Sequence, residues 1–396
     1  MDSRWRRRIR SASIRLTAFW LAALPVLGAA SATPARADGG APPAIPGGSS
    51  TSTITRVYGE SRQATALALA EQAFPQGVPS GTAILTAGRN RDLVDALTAG
   101  PLAAALHVPI LLTRSAHTPG RTLTAGLAAL HVDRVILVGS TANPTLEARL
   151  PAGVTVAAVY RGSSRFRTAA KVAAALAAAE GVSRFGQVFL TSADQDHLVD
   201  ALSAGPAAAH LGVPILLLPR GEERVSALPT SEQAWVYGAS TAYVIGAAGR
   251  YRLKGLSPGT RVVRIAGPSR FATALAIDQR FFPHPSTVFI ANGSEDHLVD
   301  ALTATPWAAR LDAPLLLVND GRVTPSGRSY LQELAASAVQ YVVIGGPASI
   351  PSTVTREVER TDHARREHEH HHPEQDPGDN TGDSGDSSDS GDGGGS

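Results

Sequence analysis

One block of about a hundred residues is written three times in this chain, and that repetition limits the folds open to it. Three arginines share one context: Gly59-Glu60-Ser61-Arg62-Gln63-Ala64-Thr65, Gly162-Ser163-Ser164-Arg165-Phe166-Arg167-Thr168 and Gly267-Pro268-Ser269-Arg270-Phe271-Ala272-Thr273. The shared pattern is G-x-S-R-x-x-T, with its arginines 103 and 105 residues apart. A second block recurs downstream as Leu93-Val94-Asp95-Ala96-Leu97, Leu198-Val199-Asp200-Ala201-Leu202 and Leu298-Val299-Asp300-Ala301-Leu302. Each copy then runs through a Pro (101, 206, 306) to a second Pro eight residues on (109, 214, 314) and an apolar triplet. The triplets are Ile110-Leu111-Leu112, Ile215-Leu216-Leu217 and Leu315-Leu316-Leu317, and each copy closes on an apolar run that ends in Gly.

Within a copy, short apolar runs alternate with helical stretches. In the first, runs at 55–58, 83–86, 110–113 and 135–138 are separated by helical patterns over 61–74, 95–106 and 122–130. Such alternation implies parallel strands covered by helices on both faces. Right-handed crossovers then give a Rossmann-like open sheet. The expected fold class is α/β, as three tandem Rossmann-like modules with parallel sheets. The boundaries read as 53–152, 153–258 and 259–358. The stretch from Pro219 to Ser240 fits the pattern poorly.

The ends differ from this body. Residues 1–37 read as a signal peptide, with five arginines before residue 11, an apolar run from Leu16 to Ala30 and small-x-small sites at 30–32 and 35–37. Cleavage after Ala32 or Ala37 leads into a Gly/Pro/Ser-rich linker over 38–52, and the expected location is secreted, at the cell wall or cell surface. No later segment has the ~20 continuous apolar residues of a membrane span. Residues 359–396 read as a disordered tail rich in His, Asp, Gly and Ser. The tail spells H-E-x-x-H at His368, Glu369 and His372, but lacks the apolar residues that would pack a zinc helix. Charge is +5 over 1–52, +5 over 53–355 and −8 over 356–396. The absence of cysteine excludes disulfides, thiolate metal sites and a Cys nucleophile.

Chemistry is sparse. Ser61, Ser164 and Ser269 are placed as helix N-caps, which puts Arg62, Arg165 and Arg270 at the first helical position, where the helix is already partly positive. Two readings stay open for these arginines: an ion pair with Asp95, Asp200 and Asp300 across the top of each sheet, or an anion site at the carboxyl ends of the strands. The three Asp residues suit a first helical turn as they stand. Copies two and three carry Asp196-His197 and Asp296-His297, whereas copy one has Arg91-Asp92, so a His base is not common to all copies. No nucleotide or hydrolase signature is present, and aromatics make up only 5% of the chain, which disfavours nucleic acid as a partner. No metal and no cofactor is expected.

Together, G-x-S-R-x-x-T, L-V-D-A-L, P-I-L-L and V-I-G-G resemble the cell-wall-binding repeat type 2 family of bacterial surface proteins, over roughly Thr53 to Val358. The resemblance implies that the three modules pack as an intrachain pseudo-threefold. It also implies non-catalytic anchoring to an anionic cell-wall polymer, with Arg62, Arg165, Arg270 and the apolar triplets on the family pattern. Copy one departs with Gln63 in place of an aromatic, and copy two with Gly246-Ala247 in place of a Gly pair. The competing expectations are an envelope hydrolase or autolysin modifier, and an extracellular binder of a small anionic solute. A partner for the tail is not specified.

Overall fold

A computed structural model describes residues 52–370 apart from 195–200, 220–224, 229, 247–253, 295–297 and 335–338. The leader, all of the linker but Ser52, the Asp-His pairs, Asp200 and residues 371–396 lie outside the described residues. The first repeat contains β1 (Thr53–Val57), α1 (Arg62–Ala73), β2 (Thr82–Ala87), α2 (Leu93–Ala105), β3 (Ile110–Thr113), α3 (Arg121–Ala129), β4 (Arg134–Val138) and a short α4 (Pro144–Glu147). The second contains β5 (Thr155–Tyr160), α5 (Arg165–Ala179), β6 (Gln187–Ser192), α6 (Ala204–His210), β7 (Ile215–Leu218), α7 (Thr230–Tyr237) and β8 (Thr241–Ile245). The third contains β9 (Arg261–Ile265), α8 (Arg270–Phe281), β10 (Thr287–Asn292), α9 (Leu298–Arg310), β11 (Leu315–Val318), α10 (Pro325–Leu334), β12 (Gln340–Ile344) and α11 (Ser352–His370).

The strands form three parallel four-stranded sheets, ordered β3-β2-β4-β5, β7-β6-β8-β9 and β11-β10-β12-β1. The first strand of each repeat therefore completes the sheet of the repeat before it, and does not join its own. The sequence reading had placed four strands of one copy in one sheet. The third sheet closes on β1, with Thr53 opposite Gln340 and Val57 opposite Ile344, so the ends of the folded body meet. Each apolar triplet is an edge strand that is nonetheless buried along its length.

On two of these edge strands, β7 and β11, side chains bond to backbone groups. Asp278 in α8 accepts the Leu315 N–H at 3.3 Å, and Glu232 in α7 accepts the Leu217 N–H at 3.3 Å. The Ser203 hydroxyl donates to the Leu315 carbonyl at 2.8 Å, which ties the second repeat to the third. A buried donor without an acceptor is costly, so these side chains stand in for a missing neighbouring strand.

The repeats meet through their L-V-D-A-L helices, α2, α6 and α9, which pack on one another. Gly100 and Gly205 both face Thr305 at the equivalent position of the third helix. A Cβ on Gly100 would lie 2.8 Å from the Thr305 Cγ2, and one on Gly205 2.6 Å from its Oγ1. Two glycines thus leave the space that one threonine fills. Further links join neighbours: Arg310 donates to the Ala73 carbonyl at 2.9 Å and lies 5.3 Å over the Phe74 ring, and His210 contacts Asp312 at 2.9 Å.

At the C-terminal end the structure differs from the expected disorder: α11 runs helical from Ser352 to His370. Ile350, Val354 and Val358 are buried, with Val354 and Val358 one helical turn apart on α11. Arg328 bonds to Glu357 at 2.6 Å alongside them.

Candidate functional site

The G-x-S-R-x-x-T segment forms the same turn three times. Ser61, Ser164 and Ser269 accept from the backbone N–H of Ala64, Arg167 and Ala272 at 3.2, 3.3 and 3.2 Å. These are the expected N-caps. The N–H of Gly59, Gly162 and Gly267 donates to the buried hydroxyl of Thr65, Thr168 and Thr273 at 3.1, 3.0 and 2.9 Å. The chain doubles back so tightly that a Cβ on these glycines would fall 2.3 to 2.5 Å from the side chain of Ala64, Arg167 or Ala272. Each fixed position other than the Arg is therefore used to build the turn.

The arginines open their helices as expected, at the first residue of α1, α5 and α8. Each Nη1 donates to the carbonyl that ends the second strand of its own repeat: Arg62 to Gly88 at 2.8 Å, Arg165 to Ala193 at 2.5 Å and Arg270 to Gly293 at 3.3 Å. Arg62 also bonds the Asn90 side chain at 2.7 Å. The backbone thereby holds all three guanidinium groups at the carboxyl ends of the strands.

The acids face them across a junction between repeats. Burial pushes the Asp95 carboxyl up to about 6; the Ser140 N–H bond and the charges of Arg165 and Arg161 pull it back, while Asp92 adds to the rise. Burial pushes Asp300 up to about 7, and the charge of Arg62 opposes it. Charge attraction thus links Arg165 with Asp95 and Arg62 with Asp300, in both cases the Asp of the preceding repeat. This corrects the pairing expected within a copy, and its cause is the strand exchange, which seats each G-x-S-R turn beside the neighbour's last strand. The Arg270 and Asp200 junction cannot be described in the same way, because Asp200 lies outside the described residues.

Two crevices are thereby defined at strand ends. In the first, Asp95 accepts the Ser140 N–H at 3.3 Å and lies so close to Gly139 that a Cβ there would sit 1.8 Å from the carboxylate. Arg161 reaches the Ala142 carbonyl at 3.0 Å from the next repeat. In the other, Tyr58 is 49% exposed and lies over Gly346, where a Cβ would approach its ring to 3.0 Å. Arg56 donates to the carbonyls of Gly345 and Ile350 at 2.8 Å each, and the buried Oδ1 of Asp300 has no hydrogen-bond partner. Arg56, Tyr58 and Arg161 were missed in the sequence because they stand one to three residues ahead of the repeated motif and differ between copies. Among the described residues, no cluster of His, Asp and Glu could hold a metal, and no helix is long and apolar enough to cross a membrane.

The model of cell wall binding domain 2 matches this chain three times, over residues 56–144, 160–251 and 264–355. The chain belongs to the cell wall binding domain 2 family. It is a cell-wall-binding protein, and its three domain-2 repeats place it with proteins of the cell wall and surface. Among curated proteins it is similar to the N-acetylmuramoyl-L-alanine amidase LytC of Bacillus subtilis, 25% identical over 318 residues, which is 79% of this chain and 60% of the relative. It is also similar to the amidase enhancer of that organism, 26% identical over 67% of this chain and 35% of the relative. The chain thus spans less than two thirds of either. Among solved structures, Cwp8 from Clostridium difficile has the same fold with a TM-score of 0.67 at 21% identity, covering 78% of this chain and 52% of that one. Cwp6 of the same organism gives 0.64 at 22%, covering 78% and 48%. These likenesses confirm the three-repeat α/β architecture of the cell wall binding domain 2 chain.

Proposed function

We propose that the chain anchors without catalysis to an anionic polymer of the cell wall, and that the polymer lies at the mouths of the crevices between repeats. The observation that supports this is the threefold placement of Arg62, Arg165 and Arg270. Each is held by a backbone carbonyl at a strand end, and beside Arg62 and Arg165 stands an acid whose carboxyl burial raises. An arginine fork there offers charge-assisted bonds to phosphate or carboxylate. Ser61, Ser164 and Ser269 serve as caps for the turns that carry these arginines, and Asp95, Asp200 and Asp300 as their counter-charges when the polymer is absent. A non-catalytic role is supported by the use of every recurring residue in the motif except the Arg to build the turn, which leaves no nucleophile and base common to the three copies in that motif.

The test is retention of the chain on wall sacculi, with and without extraction of their anionic polymers, over a salt series. Retention should fall on extraction and on raising salt. The triple variant Arg62→Ala, Arg165→Ala, Arg270→Ala, checked for folding by circular dichroism, should lose most of it. Undiminished retention by that variant refutes the role given to the arginines. Digestion of peptidoglycan in a zymogram by the purified chain would refute the non-catalytic reading.

A further inference from the structure

The second repeat carries a feature that neither of the others has. Arg167 and Lys171 stand one turn apart on the exposed face of α5, and with α7 they line a cleft of about 540 Å³. Thr230, Ser231, Ala234 and the half-buried Trp235 form its other wall. The volume lies within the roughly 300–1,000 Å³ of small-molecule sites. No acid is among its lining residues. Lys171 donates to the Arg161 carbonyl at 2.7 Å and Arg167 to the Ser163 hydroxyl at 3.3 Å, both neutral oxygens. Like charges at this spacing on a helix repel, and no carboxylate among the described residues bridges to either.

Counting from the N-cap serine, the residues equivalent to Arg167 are Ala64 and Ala272, and those equivalent to Lys171 are Ala68 and Ala276. Counting back from the glycine after the last strand, Trp235 is replaced by Ala128 and Leu334. The cleft therefore owes its two cations and its Trp to residues that depart from the repeat, and its α7 wall lies in the stretch whose sequence fits the repeat pattern least well.

We infer that this cleft is a separate site for one anionic sugar unit, a sugar ring bearing a phosphate or carboxylate. Two cations with no counter-charge among the described residues supply the anion's partners. Thr230 and Ser231 offer hydroxyls to the ring's polar edge, and Trp235 offers an aromatic surface to its C–H face. The site is distinct from the crevices at the strand ends, so it stands or falls apart from them.

The probes are glucose 1-phosphate, glucose and inorganic phosphate, titrated into the full chain by calorimetry and by tryptophan fluorescence. Glucose 1-phosphate should bind saturably and at least tenfold more tightly than either fragment. The variant R167A/K171A should lose at least tenfold in affinity. Ala234→Glu, which places an acid at the mouth on an exposed helix position, should do the same with an unchanged melting temperature. Retention on wall sacculi then separates the two sources of such a ligand. Loss of retention in R167A/K171A, with the strand-end arginines intact, assigns the site to a unit of the polymer, and unchanged retention assigns it to a free sugar phosphate. No saturable response to glucose 1-phosphate, or one that survives both variants, overturns the inference.

Discussion

The most strongly perturbed acids in this molecule act in its architecture. Asp278 is fully buried, and burial raises its carboxyl well above the ordinary value against the pull of the Leu315 N–H. Asp278→Ala leaves that N–H without a partner and should cost about 1–3 kcal/mol. Asp278→Asn keeps an acceptor oxygen and should cost less. Urea unfolding of both variants decides between them, and equal losses would mean that the bond to the sheet edge is not what Asp278 supplies. Asp300 gives a pH signature. Its folded-state value near 7 lies above the ordinary 3.8, so the cost of ionising it is absent below about pH 4, grows as pH rises, and is complete above 7. Asp300→Asn should therefore leave stability nearly unchanged at pH 3 and raise it by about 1 kcal/mol at pH 8, a small figure because the group is partly solvated. Thermal melts at the two pH values measure it.

At the scale of elements, the helices at the centre set the tolerance of the assembly. Gly100→Ala pushes a methyl group toward Thr305 and should destabilise by about 1–3 kcal/mol of overpacking, less up to ~1 kcal/mol of helix propensity. Adding Thr305→Ala should recover most of the loss, and a double-mutant cycle by denaturant unfolding reports the coupling. Additive effects would place the strain elsewhere. The elements themselves were legible in the sequence: the expected runs and helices fall within two residues of β2, β3, β4, α1, α2 and α3, because burial on both faces writes continuous apolar runs and a helix writes its own period. Partnership was not legible. Three similar copies offer each Arg three similar Asp residues, and an apolar run does not say which sheet it enters, so the pairing of Arg62 with Asp300 needed the structure. Among the helices missed, which include the short α4, α11 had left a trace in Ile350, Val354 and Val358, a four-residue spacing outweighed by the polar residues around it.

At the scale of the whole molecule, each sheet borrows its outer strand from the following repeat, and β1 closes the circuit against β12. Deleting residues up to Tyr58 should therefore weaken the third repeat and spare the first sheet. Hydrogen exchange should speed up along Gln340–Ile344, where the parallel ladder is lost, and stay slow along Ile110–Thr113. Protection unchanged along β12 would show that the closing strand adds little. The same closure orders events in time. Thr53 leaves the ribosome long before Gln340, its partner 287 positions further along the chain, so the first strand made is the last to find its place. Until then β1 and the edge of β12 are both unpaired, and either can pair with the wrong chain. Slow assembly and a need for protection during synthesis are the kinetic counterpart of a body whose two ends hold each other.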